Sequence, residues 1–317
     1  MLSVTLRVVS VFLIILMGYA AYKLHWIDRS GSRLLSTIMM NIASPSLVIS
    51  TVTSRHITPE SWDMVKTALL VVTGYHVAAI LINFVLAKLL RPRREDLGIY
   101  WAELTFANSG FLCFPICLAV FGEEAFFYAA VMNVVVCIFM YTAAIALVRY
   151  GASKESGSID WKEQMKNFFS IPSTSAIIAL VMFVLDLHLP EFLMDTCDTV
   201  GAMMVPLSML IIGVQLGDSQ LGDMLKNWRY IGYSAMKLLL WPVLTFALCT
   251  ALPVQPLIVT DITLTQAMPA GALPVVFAEQ YGRNSKLGAE LVFISTLLSV
   301  ITIPIACILL TYYLQGT

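Results

Sequence analysis

Two stretches of this chain decide its fold: ELTFANSGFLCFPICLAVFG (103–122) and LTQAMPAGALPVVFAEQYG (264–282). Each is largely apolar, yet each places glycine and proline close together near its centre, beside small or polar residues. Proline removes a backbone donor and clashes with the carbonyl group four residues earlier, so each stretch predicts a helix that is broken halfway. Inside a bilayer the freed backbone groups need partners, which restricts such breaks to protein interiors and cavity walls.

The 317-residue chain has the composition of a polytopic membrane protein. Hydrophobic residues make up 59% and charged residues 12%, the net charge is −1, and the mean hydropathy is +0.83. Soluble domains carry about 25% charged residues. This composition excludes a soluble enzyme, a disordered chain and a nucleic-acid binder. Continuous apolar runs, rather than short alternating segments, exclude a membrane β-barrel.

Charge-poor runs predict an all-α protein with ten transmembrane spans, since one span needs about 20 apolar residues. In chain order, spans 1 to 10 are Val4–Leu24, Leu34–Ser54, Thr67–Ala87, Leu104–Gly122, Ala125–Val148, Asn167–Leu185, Thr199–Gly217, Trp228–Leu252, Leu257–Tyr281 and Leu291–Thr317. The loops after odd-numbered spans contain 15 of the 19 Lys and Arg residues. That side is therefore predicted to be cytoplasmic, with both termini extracytoplasmic and the chain in the cell (inner) membrane.

The spans predict two homologous halves, residues 1–150 and 168–317, joined by a polar cytoplasmic linker, 151–167. Landmarks of the first half recur in the second half at a nearly constant sequence offset. They are Pro45 and Pro206, Gly110 and Gly271, and Gly122 and Gly282. Because each half has an odd number of spans, the halves have opposite orientations, which is an architecture of secondary transporters.

Breaks at equivalent positions of two repeats predict a binding site near the membrane centre. Half-helix N-termini offer free N–H groups and partial positive charge, which favours an anionic or strongly polar ligand. Asn108, Ser109 and Gln266 adjoin the breaks, and amide side chains are costly in hydrocarbon without partners, so we expect them to line a cavity. Gly110 and Gly271 are expected where crossing backbones approach closely. The alternative is a pair of packing kinks.

Few ionisable side chains lie within the predicted spans. His76 and Lys237 are equivalent positions of the two halves, since they are separated by the same offset as the landmarks. Because charge in hydrocarbon is expensive, we expect both to face the protein interior, as substrate counter-charge, as a proton-coupling pair or as structural groups. Glu103 is the third coupling candidate, although Glu103 and Asp261 lie nearer to the span ends, where an interfacial position is the alternative. Without a dense Asp/Glu cluster, proton coupling or uniport is favoured over sodium coupling.

The motifs ANSGFLCFP, QAMPAGALPVVFAEQYG and NIASPSLVIS resemble those of the auxin efflux carrier family, which includes bacterial members and the plant PIN carriers. The run TLLSVITIP (296–304) fits as well, and the resemblance covers essentially the whole membrane portion. It implies a ten-helix carrier of the bile-acid-symporter-like superfamily, in which spans 4 and 9 cross at their breaks. A scaffold of spans 1, 2, 6 and 7 would face a transport domain of spans 3–5 and 8–10, as a homodimer.

The resemblance also implies substrates and substrate-binding residues. Small organic anions, such as carboxylates or auxin-like acids, would move by an elevator-type exchange without a cofactor. The implied binding residues are Asn108, Ser109, Gly110, Pro115, Gln266, Pro269, Ala270, Gly271, Pro274, Asn41 and Gln215. The long loop of plant members shrinks here to 151–167, which indicates a bacterial source, and the Asp/Lys pair of plant span 3 is missing, which argues against auxin itself.

Two other function classes are weighed against a carrier. An intramembrane enzyme would need a nucleophile–base pair or a metal cluster, and the sequence contains no HExxH, GxSxG or Walker A motif. The six cysteines form no CxxC pair, and His25, His56 and His188 fall near loops, so no metal site is predicted. A channel or receptor would not need paired helix breaks in an inverted repeat.

Overall fold

A computed structural model describes residues 2–151, 161–218 and 227–316. These residues are helical almost throughout and contain no β-strand, which confirms the all-helical class. The larger part of the predicted linker, 152–160, lies outside the described residues. Its C-terminal part forms a short helix in which Gln164 donates a hydrogen bond to the hydroxyl group of Tyr281.

We number the helices of the described residues α1 to α13. They are α1 (Leu2–Lys23), α2 (Arg29–Thr53), α3 (Pro59–Leu89), α4 (Leu97–Thr105), α5 (Ser109–Phe121), α6 (Glu123–Arg149), α7 (Trp161–Phe168), α8 (Ile171–Val184), α9 (Glu191–Gly217, with a turn at 202–203), α10 (Trp228–Thr250), α11 (Pro256–Ala267), α12 (Leu273–Gln280) and α13 (Ser285–Gly316). Helices α2, α3, α6, α9, α10 and α13 have 23 to 32 residues and are apolar enough to cross a membrane. The chain is therefore a multi-pass membrane protein.

The predicted breaks in spans 4 and 9 are present. Helix α4 ends at Thr105 and α5 begins at Ser109, while α11 ends at Ala267 and α12 begins at Leu273. The intervening residues 106–108 and 268–272 are extended or irregular. Each predicted span thus consists of two shorter helices around a central interruption.

Three of the prolines within the helices follow wide turns. Within the described residues, three five-residue π-helical turns each end two residues before a proline. A wide turn accommodates the proline ring, which would otherwise clash with the carbonyl group four residues earlier, so the helix continues instead of ending. These turns are Met39–Ala43 before Pro45, Ser109–Cys113 before Pro115 and Met236–Leu240 before Pro242.

Helices α1 and α9 pack closely through glycines. A Cβ atom on Gly18 would lie 2.3 Å from the carbonyl oxygen of Leu210, and one on Gly213 would lie 2.1 Å from that of Ile15. Helix α2 packs on α8 and α9, whereas α3, α4 and α6 pack together, as do α10, α11 and α13. Small residues that allow backbones to approach are the usual means of helix association in membranes.

We predict that Gly213→Ala lowers the melting temperature of the purified protein by several degrees, because its methyl group would overlap a backbone oxygen of α1. Gly74→Ala is the matched control, because nothing lies within 4 Å of a Cβ atom at Gly74 on α3. Thermal unfolding in detergent measures both. Equal melting temperatures for the two variants would contradict the tight α1–α9 contact.

Candidate functional site

The two helix breaks meet and satisfy each other's backbone. The N–H group of Asn108 donates to the carbonyl oxygen of Pro269 at 2.8 Å, and the N–H group of Gly271 donates to that of Phe106 at 3.1 Å. Two donors and two acceptors that the breaks release are thereby paired inside the protein. Pairing of this kind is what allows irregular backbone to exist at membrane depth.

A serine of α13 completes the crossing. Ala107 and Ala270 face each other as an antiparallel pair between the two reciprocal bonds. The N–H group of Ala270 donates to the Oγ atom of Ser295 at 3.2 Å, and that hydroxyl group donates to the carbonyl oxygen of Leu291 at 2.8 Å. The hydroxyl group of Ser295 is thus both acceptor and donor, and it fixes the second break to a long helix.

Helices α5 and α12 both begin at the crossing, so the unpaired N–H groups of two helix N-termini lie there. The Oδ1 atom of Asn108 accepts the N–H group of Phe111 at 3.1 Å and caps α5. The hydroxyl group of Ser109 donates to the Oδ1 atom of Asn133 on α6 at 3.1 Å. Of the predicted prolines, Pro115 is buried in α5 just after its π-helical first turn, and Pro274 is buried in the first turn of α12.

The two glycines of the crossing are not equivalent. A Cβ atom on Gly271 would lie 3.3 Å from the carbonyl oxygen of Ala107, which is tighter than ordinary contact. A Cβ atom on Gly110 would meet only the Cε atom of Met40, at 3.8 Å. The expected close approach of backbones therefore holds at Gly271, but not at Gly110, because Gly271 belongs to the paired backbone segments and Gly110 lies beyond them, in the first turn of α5.

A small cavity lies beside the crossing, inside the bundle. Its lining includes Gln266, His76, Ser109, Thr265 and Asn133, and its volume of about 10 Å³ accommodates about one water molecule. The side chain of Gln266 is buried, and its Oε1 atom has no hydrogen-bond partner among the described residues. A buried amide oxygen without a partner is costly, so this atom is a natural acceptor for a water molecule or a ligand.

His76 and Lys237 both face the protein interior. The Nδ1 atom of His76 lies 2.8 Å from the carbonyl oxygen of Val72, which places the hydrogen on Nδ1 and leaves Nε2 as an acceptor. The ammonium group of Lys237 donates to the carbonyl oxygen of Leu104 at 3.0 Å. Leu104 lies in the last turn of α4, where the helix dipole favours a cation.

The side chains of Glu103 and Asp261 are buried inside the protein. Their exposed fractions are 0% and 1%. Both carboxylate oxygens of Glu103 lack a hydrogen-bond partner among the described residues, and Lys237 lies within electrostatic reach of this side chain. The Oδ1 atom of Asp261 accepts the thiol group of Cys117 at 3.5 Å. The apolar runs of the sequence placed both residues near the ends of predicted spans. In the structure, α4 and α11 begin several residues before Glu103 and Asp261, respectively, and both helices end at the central breaks.

A second, larger cavity of about 700 Å³ lies between the adjacent ends of α2 and α9 and the helices α12 and α13. Gln215 lines it, as does Ala272, the residue that follows the crossing. Its lining also includes an ion pair in which the Nε atom of Arg29 lies 2.5 Å from the Oδ2 atom of Asp218. Tyr22 donates a hydrogen bond to the same carboxylate.

The structure brings most of the predicted site residues together and separates two, Asn41 and Gln215, of which Gln215 lines the 700 Å³ cavity. Asn108, Ser109, Pro269, Ala270 and Gly271 lie at the crossing, and Gln266 lies in the adjoining small cavity. Asn41 is exposed in the π-helical turn of α2 and is not among the residues that line either of these two cavities.

Three polar contacts of the site were not predicted from the sequence. Asn133 accepts a hydrogen bond from Ser109, and Ser295 accepts one from the backbone of the second break. The hydroxyl group of Ser208 on α9 donates to the carbonyl oxygen of Phe111. For Asn133 a signal existed, since an amide in the middle of a charge-free run needs a partner. Serine gives no such signal, because its hydroxyl group can bond to its own helix.

Residues 3–307 match the family described as membrane transport protein. The chain belongs to this family. The match confirms the resemblance to the auxin efflux carrier family over nearly the whole chain. An uncharacterized transporter of Methanocaldococcus jannaschii is 23% identical over 300 residues, covering 94% of this chain and 96% of the relative. An uncharacterized transporter of Methanothermobacter thermautotrophicus is 25% identical over 319 residues, covering 96% and 98%.

We predict that Gly271→Ala destabilises this membrane transport protein by about 1 kcal/mol or more, because the methyl group presses on the carbonyl group of Ala107. Gly110→Ala serves as the matched control and should leave the melting temperature unchanged or slightly higher, because its Cβ atom has room. Thermal unfolding in detergent distinguishes the two. A Gly271→Ala protein as stable as the parent would contradict the crossing geometry.

We also predict that Lys237→Gln lowers the melting temperature, because it removes the buried cation that lies within electrostatic reach of the buried carboxyl group of Glu103. Glutamine retains a donor for the carbonyl oxygen of Leu104, so the change isolates the charge. The double variant Lys237→Gln/Glu103→Gln should recover most of the loss. Strictly additive effects of the two single variants would show that the two groups are not coupled.

Proposed function

We propose that this membrane transport protein carries small organic anions, such as carboxylates, by alternating access around the crossing of its broken helices. The observation that supports this most is that the N-termini of α5 and α12 meet beside the small cavity lined by Gln266, whose amide NH2 group can donate a hydrogen bond to an anion. Helix N-termini offer N–H donors and partial positive charge to an anion. Discontinuous helices that meet near mid-membrane are the usual binding element of secondary transporters.

The proposal includes ten spans in two inverted repeats, residues 1–150 and 168–317. Helix ends support the repeat beyond the sequence landmarks. Helix α1 ends at Lys23 and α8 at Val184, and α3 ends at Leu89 and α10 at Thr250, so both pairs of ends share the offset between Pro45 and Pro206. His25 and Asp186, at the same offset, both adopt positive φ angles, of 62° and 51°. Unrelated sequences would not be expected to stop their helices at one shared offset.

We further propose a scaffold of α1, α2, α8 and α9 (spans 1, 2, 6 and 7) and a transport domain of α3–α6 and α10–α13 (spans 3–5 and 8–10). The close α1–α9 contact and the packing of α2 on α8 and α9 support the first group. The 700 Å³ cavity runs between α2 and α9 of one group and α12 and α13 of the other. A second copy of the chain, bound as a homodimer, is the protein partner that the family resemblance implies.

The cavity supports one state of the proposed cycle. It is bordered by Arg29 and Asp218, which lie next to loops that the Lys/Arg distribution places in the cytoplasm. On the other side of the crossing, α5 contacts α1 and α9, and Ser208 bonds to Phe111. In the proposed account, the structure is open to the cytoplasm, and both termini are extracytoplasmic in the cell membrane.

Coupling of transport to a proton would involve the buried groups behind the crossing. Lys237 lies at the C-terminal end of α4, and His76, its counterpart in the other repeat, lines the cavity that contains Gln266. Glu103 lies within electrostatic reach of Lys237. We propose that these three residues set the charge balance of the site, and that protonation of one of them accompanies the anion.

A thermal-stability screen of the purified protein tests the substrate class. A ligand that binds the folded state at 100 times its Kd stabilises it by about 2.7 kcal/mol. We expect saturable stabilisation by short-chain carboxylates or by indole acids, and none by matched uncharged amides. Stabilisation by the amides alone would contradict the proposed class of substrate.

Two asparagine variants locate the ligand. We predict that Asn108→Ala removes most of the ligand-induced rise in melting temperature. Asn227→Ala is the matched control, because Asn227 caps α10 in the same way that Asn108 caps α5. Loss of either cap costs about 1 kcal/mol of stability, so the ligand response is what separates them. An equal ligand response in both variants would place the site away from the crossing.

A further inference from the structure

Two loops bring histidine and aspartate side chains together at the end of the bundle opposite to the Lys/Arg-rich loops. His56 lies in the loop between α2 and α3, and Asp186 and His188 lie in the loop between α8 and α9. The loops are adjacent because α2 packs on α8. One potential metal-ligand atom from each of the three side chains lies within 4.8 Å of the other two.

The imidazole ring of His188 is held in one orientation. Its Nδ1 atom lies 2.6 Å from the carbonyl oxygen of Thr53, at the C-terminal end of α2. A carbonyl oxygen only accepts hydrogen bonds, so Nδ1 carries the hydrogen. The Nε2 atom of the neutral ring is then a lone-pair donor. Metal-binding histidines are typically oriented in this way, with the second ring nitrogen donating to a backbone carbonyl group.

The Nε2 atom of His188 faces the carboxylate of Asp186, with a distance of 3.3 Å to the Oδ1 atom. The Nδ1 atom of His56 lies 3.6 Å from the same oxygen. Two lone pairs at such a distance repel each other unless a cation lies between them. The cation is either a proton on the imidazole ring or a metal ion that both atoms coordinate.

The carboxylate is itself held in place. Asp186 follows α8 with a φ angle of 51°, and its Oδ1 atom accepts the N–H group of Ile57 at 3.2 Å. This backbone hydrogen bond from Ile57 lowers the pKa of Asp186 and favours its carboxylate form. Two of the three candidate ligands are therefore positioned by contacts with α2 and with the loop that follows it.

We propose that His56, Asp186 and His188 bind a divalent transition-metal ion of the Zn²⁺ class. Zinc binds histidine nitrogen and carboxylate oxygen at about 2.0–2.2 Å, so neighbouring ligand atoms of a tetrahedral site are about 3.3–3.6 Å apart. The observed separations of 3.3 Å and 3.6 Å fit these edges. Two imidazole groups and one carboxylate are a zinc-type ligand set that leaves a fourth position for water.

The ion would cross-link the two halves of the chain. His56 belongs to the first half and the other two ligands to the second, so the ion joins the ends of α2 and α8 within the proposed scaffold. The site lies outside the crossing, and this inference therefore does not depend on the proposed substrate. It predicts a structural effect that is measurable without transport.

Thermal unfolding with and without metal tests the site. At about pH 8, where free imidazole is neutral, micromolar Zn²⁺ should raise the melting temperature of the purified protein in a saturable manner. Mg²⁺ and Ca²⁺ should not, since they prefer oxygen ligands. Asp186→Asn and His188→Gln should weaken Zn²⁺ binding by about 100-fold. His25→Asn is the matched control, at the equivalent position of the first half, and should respond like the parent.

His56→Gln provides a further variant, because the side chain of His56 is 74% exposed and its loss should not impair folding. It should weaken Zn²⁺ binding and change the visible absorption spectrum of bound Co²⁺, which reports on nitrogen ligation. An unchanged Zn²⁺ response in His56→Gln and His188→Gln would overturn the proposal. So would the absence of saturable Zn²⁺ binding to the parent, which would show that a proton alone fills the site.

Discussion

The exchange of backbone hydrogen bonds between Phe106–Asn108 and Pro269–Gly271 is the interaction on which the rest of the structure depends. In hydrocarbon, every unpaired backbone donor or acceptor costs several kcal/mol. One broken helix alone would leave such groups exposed, whereas two breaks at one place provide partners for each other. This requirement brings α5 and α12 to a common origin, and with them the dipoles that favour an anion.

The surrounding helices also provide hydrogen-bond partners for backbone groups that the breaks leave unpaired. Ser295 on α13 accepts the remaining N–H group of the second break, at Ala270, and Asn108 caps α5 from within the first break. Lys237 on α10 binds a carbonyl group in the last turn of α4. Side-chain donors thus bind the carbonyl groups at helix C-termini, and side-chain acceptors bind the N–H groups at helix N-termini. The crossing is thus built into the packed interior, and side chains of the neighbouring helices hold its geometry.

The sequence predicted the breaks well because glycine and proline act through local backbone chemistry. It did not show that Glu103 and Asp261 are buried inside the protein, since an apolar run indicates where charges stop and not how a helix packs. It also treated Gly110 and Gly271 alike, although only Gly271 meets another backbone. The shared sequence offset makes the two look equivalent, and tertiary packing explains why they differ.

Contacts between distant residues were beyond the sequence. His56 and His188 lie in different halves of the chain, and three of the four histidines looked like isolated loop residues that bind no metal. Only the packing of α2 on α8 brings them together with Asp186. By contrast, the interior positions expected for His76 and Lys237 followed from the cost of charge in hydrocarbon, which holds whatever the neighbours are.

The central claim is that the crossing is the binding site of a carrier that exposes it to one side at a time. Counterflow in proteoliposomes tests this claim most directly: vesicles are loaded with an unlabelled anion that stabilises the protein, and uptake of a trace of the labelled anion is followed. A carrier accumulates label transiently above equilibrium, and the accumulation saturates with the internal anion. Label that only equilibrates, at a rate independent of internal anion, would indicate a channel and contradict the account.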